Sequence, residues 1–412
     1  MLYVAEKSSA TFFSPLHYNT IPTSQYHREE MNNGSIYIHV PFCQSRCAYC
    51  SFYSTVCGQA EKEAYIAALC REAGQRSQQA SAETTISSVY FGGGTPTCLP
   101  AEGIAEIMAV LHRNYQISQD AEITVEANPD DVTPAVVENL RRSGINRISM
   151  GVQSFNDEVL KSISRRHTAR QAIEAVGIIQ DNGISNVSID LIYGLPTQDV
   201  ERWAEDLTTA FSLEIKHLSS YALSIEPGTP LYQRKLRGEI EETPEEVFIE
   251  MYEMLRQSAE QAGFEQYEIS NFSLPSYHSR HNSGYWSGQM YIGLGPSAHS
   301  FDGLHTRRWN SDSLTAYIDF WGNTGASNHQ QPPYTIENLS DDERYDEIVL
   351  TRLRTAQGLE LAALPTFRQS YLLRMAEPYL QKNLLTFRDG FLCLTRSGIF
   401  ISDAIIAELM WG

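Results

Sequence analysis

Ser35-Ile36-Tyr37-Ile38-His39-Val40, followed by Pro41-Phe42-Cys43-Gln44-Ser45-Arg46-Cys47-Ala48-Tyr49-Cys50, reads as a strand, a Pro-Phe turn and a loop that carries three thiols. Further strand-like runs lie at Ser88–Phe91, Glu122–Glu126, Arg147–Gly151, Asn186–Ile192 and His217–Leu223. The segments between them, Glu61–Gln75, Ala101–Asn114, Pro134–Ser143, Ala169–Asn182 and Val200–Ser212, repeat apolar residues at three-and-four spacing, the period of a helix with one buried face. Strands alternating with helices predict a parallel sheet with right-handed crossovers. Six such units predict an α/β fold, a partial (β/α)6 TIM-like barrel, with its chemistry at the carboxyl ends of the strands.

Past residue 225 the rhythm changes. A helix is expected near Glu245–Ala262, a strand at Glu265–Asn271, irregular chain rich in His, Ser, Gly and aromatics to about residue 310, and a polar linker over Gly322–Asn338. The remainder reads as helices, a hairpin over Leu384–Leu394 turning at Asp389-Gly390, and a closing helix after Ser402, together a small C-terminal helical or winged domain. The expected divisions are a loose N-terminal tail over 1–34, the barrel over 35–225, an extension over 226–335 and the C-terminal domain over 336–412. Met31-Asn32-Asn33-Gly34 stands directly before the first strand, so the structured protein is expected to start near Met31, after a polar and aperiodic stretch.

With 412 residues, 42% of them hydrophobic and 20% charged, the chain buries a full-sized core. Lys and Arg number 31 against 50 for Asp and Glu, a formal charge of -19 that repels a phosphate backbone over most of the surface. A broad nucleic-acid grip is excluded on that ground. No run of about 18 apolar residues and no basic-then-apolar leader is present, so a soluble, cytoplasmic protein is expected. Seven cysteines is an odd count, and three of them crowd into eight residues, a poor disulfide framework and a good metal signature that suits a reducing compartment. Structural zinc wants four ligands in two separated pairs, and here there is one trio. Thiolates hold iron-sulfur clusters, and a trio ligates three irons of a [4Fe-4S] cube while the fourth stays open. Cys70 on an amphipathic helix and Cys393 in a strand read as packing residues, Cys57 as a spectator beside the loop, and Cys98 carries no reading.

Cys-x3-Cys-x2-Cys after a first strand, with the aromatic Tyr49 between the last two thiols, resembles the signature of the radical S-adenosylmethionine (SAM) family. The resemblance implies that Cys43, Cys47 and Cys50 ligate a [4Fe-4S] cluster. It also implies that the open iron binds the methionine moiety of SAM, which the cluster cleaves to a 5′-deoxyadenosyl radical. The run Phe91-Gly92-Gly93-Gly94-Thr95-Pro96 ends the second strand, where Gly92, Gly93, Gly94 and Thr95 are implied to meet the methionine amino group. Glu126 ends the third strand, Gln153 follows the fourth and Asp190 lies within the fifth. By resemblance Gln153 and Asp190 bond the ribose, while Arg165 and Glu126 hold the methionine end. A carboxylate inside the apolar Ile189–Ile192 needs a partner in any case.

The segments Tyr37–Cys43, Gly151–Phe155 and Asp190–Pro196 narrow the resemblance to the oxygen-independent coproporphyrinogen III oxidase-like branch, from about residue 35 to the end. Two functions compete within it: the oxidase, which decarboxylates two propionates of coproporphyrinogen III, and the haem chaperones, which bind haem and deliver it to apo-haemoproteins such as respiratory enzymes. The oxidase carries a further cysteine two residues after the trio, where this chain has Phe52. Arg280-His281-Asn282-Ser283-Gly284-Tyr285-Trp286 is similar to the His-Asn-x-x-Tyr-Trp motif of the chaperones. Imidazole is a standard axial ligand of haem iron, so His281 is the expected ligand and His299 the second candidate. Tyr285 and Trp286 offer flat apolar faces to a macrocycle, and Arg280, Arg307 and Arg308 are expected partners for propionates. The chaperone reading is favoured, with an electron donor such as flavodoxin or ferredoxin and a possible homodimer as further implied partners.

Overall fold

Side chains on the six central strands sort by parity. In β1 (Asn33–Val40), β2 (Thr85–Gly93), β3 (Gln116–Ala127), β4 (Arg147–Gln153), β5 (Asn186–Tyr193) and β6 (His217–Ala222), alternate residues such as Ile36, Ile38, Val89, Phe91, Val125, Met150, Ile189 and Leu218 enter the main apolar core. The intervening set, including Tyr37, Tyr90, Glu126, Arg147, Ser149, Asp190, Ser219 and Tyr221, faces a central lumen. Barrel interiors are ordinarily filled by branched apolar side chains. This lumen is open and carries charged and hydroxyl side chains among its apolar surface, which makes it a receptacle.

The computed structural model describes residues 33–79, 83–322 and 333–411, so the expected tail falls outside the described residues except for Asn33 and Gly34, which open β1. The strands β1 to β6 pair in parallel in chain order, as the alternation predicts. The helices α1 (Gln59–Arg76), α2 (Ala101–Asn114), α3 (Pro134–Arg142), α4 (Asp157–Ser162), α5 (Ala169–Asp181) and α6 (Val200–Ser212) fill the connections. Their starts follow capping chemistry: Thr133, Thr168 and Asp199 accept hydrogen bonds from the N–H groups of Val136, Gln171 and Arg202.

The sheet is larger than six units. Its order is β12-β11-β10-β9-β1-β2-β3-β4-β5-β6-β8-β7, twelve strands in all. After α7 (Pro230–Leu236) and α8 (Glu245–Gln261), the expected strand at Glu265–Asn271 is replaced by two short ones, β7 (Glu265–Gln266) and β8 (Asn271–Ser273), which pair with each other antiparallel. The stretch expected to be irregular holds α9 (Arg280–Ser287), β9 (Met290–Leu294), β10 (His299–Phe301) and β11 (Thr306–Asn310). Ser279 caps α9 at its start and Gly288, with φ of 68°, ends it in the left-handed region, so a polar and aromatic sequence makes a short helix between two stop signals. Strand β9 lies parallel to β1 as a seventh parallel strand. Beyond α10 (Leu314–Gly322), the end of the expected linker is β12 (Tyr334–Asn338), paired with β11, while residues 323–332 lie outside the described residues. A division at 335/336 would therefore cut a strand of the large sheet.

The last part has its own core of Val349, Leu353, Leu372, Leu392, Ile405 and Leu409. Helices α11 (Asp341–Arg352), α12 (Thr366–Gln381), α13 (Arg396–Ile399) and α14 (Ser402–Leu409) surround a three-stranded sheet of β13 (Leu359–Glu360), β14 (Leu385–Arg388) and β15 (Phe391–Leu394). Asp389 and Gly390 turn the hairpin with φ of 51° and 87°, the doubly positive conformation that favours an Asp-Gly pair. Among the described residues no helix is long and apolar enough to cross a membrane.

Candidate functional site

The thiol loop leaves β1 at Val40 and is tied down by its backbone. Cys43 N donates to Thr55 O at 3.0 Å, Thr55 N to Pro41 O at 2.7 Å and Ala48 N to Ile163 O at 3.1 Å. So anchored, Cys43, Cys47 and Cys50 stand half-buried on the wall of one cavity of about 570 Å3 at the carboxyl ends of the strands. Thr95 Oγ1 lies 3.7 Å from Cys43 Sγ, and Arg165 Nη1 donates to Cys47 Sγ at 3.3 Å. Asn128 links the two, receiving from Arg165 at 2.7 Å and donating to Thr95 Oγ1 at 3.0 Å.

Three thiols on one loop, lining one cavity, are the donor chemistry of an iron-sulfur cluster. Among the described residues no three His, Cys, Asp or Glu side chains converge as a lone metal would require. The thiols instead share one chamber, with the Arg165 guanidinium beside a sulfur that would be a thiolate, and Cys57, Cys70, Cys98 and Cys393 line no part of it. Three donors facing a common space leave one corner of a four-iron cube without a protein ligand.

The glycine run has a packing reason of its own. A Cβ on Gly94 would stand 2.6 Å from Phe42 O, because Gly94 N donates to Val40 O and Thr95 N to Phe42 O where β2 passes under the thiol loop. Gly93, at φ of 103°, gives its N–H to Glu126 Oε2 at 3.1 Å. Glu126 also receives the Tyr90 hydroxyl at 2.8 Å, and burial pushes its carboxyl up to about 7. Asp190 has the partner its apolar surroundings demand: Ser149 donates to it at 3.3 Å, while burial raises its carboxyl above the usual range. Gln153 is buried at φ of 70°, a left-handed backbone that a non-glycine residue adopts at some strain and that turns its side chain into the same cavity.

His281 lies inside the lumen, not on a surface. It is 2% exposed and sits in the first turn of α9. Its Nδ1 is 3.1 Å from Ser88 Oγ, its Nε2 is 3.0 Å from Tyr285 OH, and its ring stacks on Tyr90 at 4.9 Å. Burial, with the Arg147 charge, pushes the imidazole down to about 3, so it is neutral, the form that ligates metals. Asn282 and Tyr285 line the same cavity.

Trp286 does not join them. It projects into a second cleft of about 1190 Å3 between the barrel and the C-terminal part, lined also by His278, Arg280, Arg344, Arg352 and Arg388. His299 is exposed, stacked on Trp309 at 5.9 Å, and lines neither chamber. The cations expected to meet propionates are engaged elsewhere: Arg280 with Asp120 at 3.2 Å, Arg307 with Glu347, and Arg308 with Glu72 at 3.8 Å and over the Tyr334 ring. None of the three lines the thiol cavity.

Comparison with known proteins follows the same lines. The profile of the Radical SAM superfamily matches residues 37–210 and that of the HemN C-terminal domain residues 339–401. The Heme chaperone HemW of Mycobacterium tuberculosis (strain ATCC 25618 / H37Rv) is 34% identical over 91% of this chain and 94% of its own. The Heme chaperone HemW of Bacillus subtilis (strain 168) is 35% identical over 79% of this chain and 84% of its own. The chain belongs to the HemW family of radical SAM proteins. The solved coproporphyrinogen III oxidase (HemN) of Escherichia coli, described as a radical SAM enzyme, superposes with a TM-score of 0.78 over 92% of this chain and 91% of its own at 24% identity, a shared fold. Membership of the HemW branch of radical SAM proteins implies a [4Fe-4S] cluster and SAM.

Beside the residues foreseen, the lumen presents Tyr90, Asn128, Arg147, Ser219 and Tyr221, to which the sequence reading gave no role. The signal for those on strands is the alternation of polar and apolar residues that runs through most of β1 to β6; Asn128, just past β3, carries none.

Proposed function

We propose that this chain binds haem and delivers it to apo-haemoproteins, on a scaffold where Cys43, Cys47 and Cys50 hold a [4Fe-4S] cluster. Gly92, Gly93, Gly94, Thr95, Glu126, Gln153, Arg165 and Asp190 form the SAM pocket around it. His281 is the iron ligand, with Asn282 and Tyr285 beside it and Trp286 on the far wall of α9. The observation that carries the reading is the neutral, buried His281 opening on the same lumen as three thiols, with Phe52 rather than a further cysteine at the mouth. Respiratory enzymes are suitable recipients, and a small donor of the flavodoxin or ferredoxin kind would reduce the cluster.

When bound, the cluster supplies one-electron chemistry. The chain's own contribution is positional. Arg165 offsets thiolate charge at Cys47, and Ser88 holds Nδ1 of His281, leaving Nε2, now on Tyr285, as the nitrogen for a metal.

Anaerobic reconstitution followed by addition of haem tests this. A [4Fe-4S] spectrum is expected, lost on changing any of Cys43, Cys47 or Cys50 to Ser, together with a Soret band that weakens in His281→Ala. Coproporphyrinogen III supplied with reductant and SAM is expected to remain unconverted; turnover to protoporphyrinogen would establish the oxidase instead. An unchanged Soret band in His281→Ala would remove His281 as the iron ligand and overturn the reading of the lumen as the haem site.

A further inference from the structure

Arg147, the first residue of β4, is 1% exposed and lines the thiol cavity. Among the described residues none accepts a hydrogen bond from its guanidinium. The Nε atom is sealed from solvent without a partner, and the nearest carboxylate oxygen, Glu122 Oε2, is 4.0 Å away. A buried guanidinium with its donors unfilled is costly, so a group outside the chain is called for.

The carboxylates around it do not supply it. Glu122 accepts from Ser279 Oγ and from His281 N, Glu126 from Tyr90 and Gly93, and Asp190 from Ser149. The fork of Arg147 is left for the cavity, and a planar guanidinium matches a carboxylate bidentately.

Position along the strand separates two carboxylate sources. Arg165 stands at the thiol end, donating to Gly151 O and Cys47 Sγ. Gly151 is four residues beyond Arg147, about 13 Å along an extended strand. The methionine carboxylate of SAM, held at a cluster corner, belongs with Arg165. Arg147 and His281 flank one carboxylate at the other end of the strand, Glu122, whose Oε2 is 4.0 Å from Arg147 Nε and whose Oε1 accepts from His281 N at 3.3 Å.

Resting on the haem reading above, we propose that Arg147 is a carboxylate receptor on the lumen floor that takes one propionate of the bound tetrapyrrole. The test compares haem with its iron dimethyl ester, whose propionates are masked, by Soret titration of the reconstituted full chain. The wild-type chain is expected to bind the ester about tenfold more weakly than haem or worse. Arg147→Met is expected to lose haem affinity to a similar degree and to lose the preference, with iron content and SAM affinity unchanged, and Arg147→Lys to recover part of the preference. Equal binding of haem and ester by the wild-type chain overturns the proposal while leaving the haem reading intact, and needs no variant to fold. Weaker SAM binding in Arg147→Met with unchanged haem affinity assigns the carboxylate to SAM and overturns it too. Absence of any Soret shift with wild-type chain removes the haem reading and the proposal together.

Discussion

At the scale of single residues, burial decides protonation. His281 and His167 are held neutral, pushed down to about 3 and about 4 from an ordinary 6.5, burial being the first cause in both. Unfolding releases each to take up a proton below 6.5, so the folded state is penalised as the pH falls from there toward the folded values. The difference between the wild-type urea midpoint and that of His167→Gln is therefore expected to shift in favour of the variant as the pH is lowered from about 7 to 5. Gly94→Ala is expected to destabilise by about 1–3 kcal/mol and to lower cluster yield, because the new methyl meets the Phe42 carbonyl, which cannot turn away without moving the thiol loop. Thermal unfolding and iron content check both parts. The thiols, the glycine run and the acidic residues at strand ends were legible in the sequence because each sits in a compact local pattern. Arg147 was not, since an arginine opening a strand looks like any surface charge until the sheet closes around it.

At the scale of elements, the parallel strands and covering helices follow from period and caps, though β3 begins at Gln116, six residues before the expected start, and α4 was not foreseen. The short helix α9 escaped notice because its residues are polar and aromatic and only Ser279 and Gly288 mark its ends. Ser279 both caps α9 and donates to Glu122. Ser279→Ala is expected to cost about 1 kcal/mol by thermal or urea unfolding and to weaken the Soret band of added haem, since the cap fixes the turn that carries His281. The His-Asn-x-x-Tyr-Trp stretch had been expected to act as one surface. Helical geometry splits it, because adjacent residues on a helix point about 100° apart and Tyr285 and Trp286 face different chambers.

At the scale of the whole molecule, a buried network binds the added strands to the barrel. Glu72 on α1 is fully buried; it accepts from Tyr317 at 2.7 Å, Asn310 at 2.8 Å and Gly295 N at 2.9 Å, and pairs with Arg76 at 3.3 Å. Glu72→Ala takes the carboxylate away from Arg76 and Arg308 and leaves three buried donors, Tyr317, Asn310 and Gly295 N, short of their acceptor, so a loss of about 3–5 kcal/mol is expected in denaturant unfolding. This network was invisible in the sequence, where Glu72 reads as an outward residue of an amphipathic helix and all of its partners but Arg76 lie more than two hundred positions away.

The parallel pairing of Gly34–Ile38 with Met290–Leu294 carries a consequence for biosynthesis. A ribosome emits the cysteines early and the flanking strand late, so the nascent barrel has a gap beside its first strand throughout most of translation. Pulse-labelled chains halted before Met290 are expected to show cysteines open to alkylation that the finished chain protects when loaded with iron. Halted and finished chains given the same iron and sulfide are expected to differ in this protection, and equal protection would show that the cluster is taken up before the wall is complete.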